Sequence, residues 1–67
     1  MLNKRETEKV YRILQRNKMN GVHPNSIKEL CTELGFDRQN FYYMTKPTMV
    51  KSVSNAETKM KEWIKKN

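Results

Sequence analysis

The pattern that most constrains this chain is a pair of short apolar repeats on either side of one glycine. Ile27, Leu30, Cys31 and Leu34 stand at i, i+3, i+4 and i+7, so they share one face of a helix of about two turns. Gly35 follows at once, a residue that accepts positive φ and stops a helix, and Phe36 returns to the core. Asp37 is placed to cap a third helix, in which Phe41 and Met44 can follow Phe36 inward while Arg38, Gln39, Tyr42 and Tyr43 lie outside. Two helices that cross steeply need a small residue at their close approach, here Cys31, and a permissive corner, here Gly35. The spacing predicts a helix-turn-helix over 26–45.

The flanks continue in the same manner. Asn3 with Glu6 has the spacing of a capping box, and Val10, Ile13 and Leu14, with Tyr11 at the margin, form an apolar stripe. Asn20-Gly21 ends that pattern, Val22-His23-Pro24-Asn25 reads as an ordered connection, and Ser26 with Glu29 makes a second box. Pro47 closes the third helix, and Thr48 to Ser52 read as a short, extended link. Ser54 with Glu57 makes a third box ahead of the stripe Val53, Ala56, Met60, Trp63 and Ile64. Helices are thus expected near 4–18, 26–34, 37–45 and 54–65. The fold class that follows is all-α, a small helix-turn-helix bundle of three helices plus a C-terminal amphipathic helix, with residues 1–67 forming one domain. In the last helix Met60, Trp63 and Ile64 either cover the core or offer a partner or self-association surface.

Charge narrows the partner. Fourteen Lys and Arg against seven Asp and Glu leave +7, which makes a polyanion the first partner to consider. Nucleic acid outranks a membrane surface because the long apolar face of an interfacial helix is missing from the pattern. Cys31 is the single cysteine, so an internal disulfide is excluded, and the lone His23 lacks the companions of a zinc site. No stretch of 18 apolar residues occurs, and Met1-Leu2-Asn3-Lys4-Arg5-Glu6 has no apolar run after its charges. The expectation is a cytoplasmic protein without a metal or cofactor. With no convergent acid, base and nucleophile in the sequence, it is not expected to be an enzyme.

The stretch from Ser26 to Met44, SIKELCTELGFDRQNFYYM, resembles the helix-turn-helix of bacterial and phage DNA-binding proteins. It is similar in particular to the DNA-binding headpiece of the tetracycline-repressor type, whose motif runs Leu-Gly-Val-Ser-Arg-x-Thr-Phe-Tyr, and to the N-terminal module of some insertion-sequence transposases. The likeness covers about a third of the chain well. It implies that Arg38 matches the Arg just inside the recognition helix, Phe41 the buried aromatic, and Tyr42 the Tyr that meets backbone phosphate. Asp37 and Asn40 replace Ser and Thr of the motif. Only about twenty residues follow Lys46, where the repressors continue into a ligand-binding domain, so no small-molecule ligand is expected.

The residues alone point the same way. A helix fits the major groove, where Arg can pair with guanine and Gln or Asn with adenine, which makes Arg38, Gln39, Asn40 and Tyr43 candidate base readers. Asn40 has the competing task of completing its helix cap. Lys28, Tyr42, Lys46 and Lys51 are candidate phosphate contacts, flanked by the cations of the first helix. The function expected is that of a small transcriptional regulator of bacterial, plasmid or phage type that binds double-stranded DNA in a specific sequence, aided by a homodimer or a partner protein. The alternative is a protein-interaction module, such as a phage inhibitor or antirepressor, with Tyr42, Tyr43 and Trp63 as anchors.

Overall fold

The computed structural model describes residues 2–46 and 54–67, which form four helices: α1 (Lys4–Met19), α2 (Ile27–Leu34), α3 (Arg38–Thr45) and α4 (Ser54–Lys66). The expected extended link, with Met49 and Val50, and the stripe position Val53 lie outside the described residues. The four helices agree with the spacing of apolar residues to within a residue or two at each end.

Each start has a local cause. At α1 the amide of Glu6 donates to Asn3 Oδ1 at 2.7 Å and the amide of Asn3 donates to Glu6 Oε1 at 3.0 Å, a complete capping box. At α2 only half of the expected box forms. The Glu29 amide donates to Ser26 Oγ at 3.2 Å, but the Glu29 carboxylate turns outward, accepting from the Asn25 amide at 3.2 Å and meeting His23 Nδ1 at 2.8 Å. Glu29 therefore fastens the connection from α1 as well as the first turn of α2. Asp37 caps α3 through the Gln39 amide at 3.3 Å. Ser54 is already the first helical residue of α4 rather than the residue ahead of it.

The two glycines end the first two helices in the same way. Gly35, at φ 89°, donates to the Thr32 carbonyl at 3.1 Å while the Phe36 amide donates to the Cys31 carbonyl at 3.0 Å, the paired bonds of a Schellman motif. Gly21, at φ 68°, repeats the arrangement, with its own amide on Lys18 at 3.3 Å and that of Val22 on Asn17 at 2.8 Å. At Gly35 the consequence is a corner of three residues, Gly35-Phe36-Asp37, between α2 and α3, with Phe36 folded back onto the core.

The core draws on all four helices and on the segment before them. Leu2, Val10, Leu14, Leu30, Cys31, Phe41, Met44, Ala56, Met60 and Ile64 form one buried cluster, with Ile27, Leu34, Phe36 and Trp63 packed at its margin. α4 packs against each of the other three helices, and α2 against α3. Of the two alternatives for the last helix, the docking shows the core-covering one. Met60 is wholly buried and Ile64 is 6% exposed, so neither has area to offer a partner, and Trp63 is half-buried against the same cluster. The physical reason is size: three short helices of this length leave their apolar faces open, and α4 closes them.

Candidate nucleic-acid interface

Packing of the α2–α3 pair decides what α3 shows to solvent. Phe41 and Met44 are 0% and 1% exposed, which fixes the inner side of the helix. Arg38, Gln39, Tyr42 and Lys46 then emerge on the outer side and are all exposed. Arg38 and Tyr42 are four residues apart, and Gln39 stands three before Tyr42 and seven before Lys46, so the four form one continuous strip. Among the described residues neither Arg38 nor Lys46 pairs with a carboxylate. The strip thus combines two unneutralised cations with an amide and a phenol, a donor-rich set suited to phosphate oxygens and base edges.

Tyr42 is not loose on this surface. Its ring meets that of Phe41 edge-on at 6.0 Å, and from the opposing helix Tyr11 meets the same ring edge-on at 5.9 Å. Edge-to-face contacts of this kind orient rings as well as attract them. Tyr11 and Tyr42 remain 51% and 39% exposed, so two hydroxyl-bearing rings are held at the surface by one buried phenylalanine. The sequence placed Tyr11 only at the edge of an apolar stripe. Its proximity to Phe41 is a matter of how α1 meets α3, which no spacing within α1 encodes.

The remaining candidates fall elsewhere. Asn40 is half-buried and borders a shallow cleft of about 440 Å³ shared with Gly35, Phe36, Asn55 and Lys59, so it faces the start of α4 rather than the outer strip. Tyr43, four residues after Gln39, borders the outer strip and is half-buried. Lys28 is exposed, but the cleft it borders is lined by His23, Pro24 and the carboxylates of Glu29 and Glu33, with no α3 residue. Lys51 lies outside the described residues. The cation that reasoning from sequence missed is Lys59, whose Nζ stands 3.7 Å from where a β-carbon on Gly35 would be, directly over the corner. Only the docking of α4 brings it there.

Cys31 sits behind this surface, wholly buried. Burial pushes its thiol up from 9.0 to about 11, with the nearby Asp37 carboxylate adding to the effect. A thiol held protonated and out of solvent is a packing group, inert to oxidation at neutral pH. His23 serves the connection through Glu29, as a hydrogen-bonding loop residue. Among the described residues no group of three or more His, Cys, Asp or Glu could hold a metal ion, and no helix is long and apolar enough to cross a membrane.

Comparison with known protein families, with curated proteins and with solved structures finds no match to this chain.

Proposed function

We propose that this protein binds double-stranded DNA and reads sequence with the outer strip of α3, acting as a small transcriptional regulator by occupying its site. The observation that carries the reading is the exposed run Arg38, Gln39, Tyr42 and Lys46 on the second helix of a glycine-cornered pair. A helix of eight residues fits the major groove, and its N-terminal turn presents the two side chains, Arg38 and Gln39, with the geometry to pair with guanine and adenine. Tyr42 and Lys46 flank them with phosphate donors, and the +7 charge supports attraction independent of sequence. One strip reads few base pairs, so a second copy or a partner protein is part of the proposal.

A protein-interaction role has one observation in its favour, the two exposed tyrosines braced on Phe41. It is weaker because Trp63 and Tyr43, the other aromatic anchors it would use, are half-buried. A gel shift with salt titration separates the two. Retention of duplex that weakens linearly in log salt, with preference for one sequence selected from a random pool, supports the DNA reading. Absence of binding to any duplex at micromolar protein and low salt would falsify it.

A further inference from the structure

The outward side of α1 carries a second concentration of charge. Arg5, Lys9, Arg12 and Arg16 are spaced by four, three and four residues, which at 3.6 residues per turn aligns them in one strip ~60° wide and ~16 Å long. Arg5, Arg12 and Arg16 are exposed, and Lys9 lays its stem on the surface, half-buried. None of the four pairs with a carboxylate among the described residues. Glu6, on the inner flank, is committed to the Asn3 cap, and the exposed Glu8, three residues after Arg5 and four before Arg12, borders the strip without pairing with it among the described residues.

The strip does not face the same way as α3. Tyr11 marks the flank of α1 that meets α3, because its ring rests on Phe41. By helix geometry the four cations lie roughly 100–160° around α1 from Tyr11. They are turned away from the side on which Tyr11 and Tyr42 flank Phe41, so a duplex seated on α3 leaves them free.

We propose that this strip holds the phosphate backbone of a second duplex segment, so that one chain bridges two DNA segments, one read by α3 and one gripped by α1. The inference rests on the DNA reading of α3. Met19, 80% exposed, stands three residues beyond Arg16 and shares a shallow cleft with Arg12 and Arg16, a single aliphatic side chain beside the four cations. Protein partners draw most of their binding energy from buried aromatic or aliphatic anchors, whereas phosphate binding needs only cations that release counterions. Four cations with one methionine at their end and no aromatic anchor therefore favour nucleic acid over an acidic protein.

A capture experiment tests this with the whole chain. A biotinylated duplex carrying the preferred site is immobilised and loaded with protein, and a fluorescent second duplex of unrelated sequence is added. The wild type should retain the second duplex, and the variant R5Q/K9Q/R12Q/R16Q should still hold the first while capturing at least ~tenfold less of the second. If the fourfold variant melts below the wild type, R12Q/R16Q takes its place with a smaller expected loss. Equal capture by wild type and a folded variant overturns the proposal. So does a loaded wild type that captures no second duplex, including one that instead retains a labelled polyglutamate peptide through the strip. Failure of the wild type to hold even the first duplex removes the DNA reading of α3, and the bridge with it.

Discussion

The backbone amide of Leu2 donates to the carbonyl of Met44 at 2.8 Å, joining the segment before α1 to the last turn of α3. That carbonyl is among the last four of its helix and has no partner within it, so Leu2 satisfies an end that would otherwise need water. The Leu2 side chain is 3% exposed and belongs to the main cluster. Leu2→Ala should therefore lower stability by about 2–4 kcal/mol, as for a core leucine, whereas the exposed Lys66→Ala should change it by less than ~0.5 kcal/mol. Urea denaturation of the two variants is sufficient to compare them.

The two glycines offer a matched test of backbone strain. At Gly35 a β-carbon would meet only Lys59 Nζ at 3.7 Å, an ordinary contact, and at Gly21 it would meet nothing within 4 Å. Alanine at either position thus pays for positive φ and for little else. Each substitution should destabilise by about 1–2 kcal/mol, with melting curves shifted alike. A much greater loss for Gly35→Ala would reveal that the α2–α3 corner is tighter than its neighbours suggest.

Cys31 predicts an alkaline weakness. In the unfolded chain its thiol ionises near 9.0, whereas in the fold it does so near 11. Its contribution is therefore complete below pH 9 and declines as the pH rises towards 11, because the unfolded chain releases the proton first. Between pH 7.5 and 10.5 the wild type should lose about 2 kcal/mol more than Cys31→Ala, which carries no titrating group there. Comparing the two proteins removes the background from tyrosines and lysines common to both. Parallel losses across that range would mean that the thiol is not held protonated by the fold.

Base reading and phosphate attraction should separate by substitution. Arg38→Ala should weaken binding to the preferred duplex by about 1–3 kcal/mol and to a scrambled duplex by less. Lys46→Ala should weaken both alike and flatten the slope of log affinity against log salt by about one unit. Titrations of each variant at several salt concentrations distinguish these outcomes. Equal loss on both duplexes for Arg38→Ala would leave α3 as a phosphate clamp rather than a reader.

The helices were legible because their signals are local. Asn3, Ser26 and Asp37 each cap the helix that follows them, and Gly21 and Gly35 stop the ones they follow, so five residues delimit most of the fold. Leu2 was not legible, since a single apolar residue ahead of a cap has no periodicity. Its one signal was its place just before a capping box, a position that often packs back onto the helix. At α2 the Ser26–Glu29 spacing was right while the use of Glu29 was not, because Asn25 and His23 compete for its carboxylate from a loop whose path the sequence does not specify. The outer strip of α3 followed from the inward placement of Phe41 and Met44. The positions of Asn40, Met60, Ile64 and Lys59 depend on where α4 docks, which is a long-range choice among apolar faces rather than a local one.

α4 touches α1, α2 and α3 alike, so undocking it would expose the shared interior of the other three in one event. The slowest-exchanging backbone amides of α2 and α3 should then open together with those of α4 as a single cooperative unit, not helix by helix. A ligand that grips the outer strip of α3 stabilises the closed form as a whole. Its binding would slow amide exchange at Met60 and Ile64, on a helix whose buried face the ligand never meets.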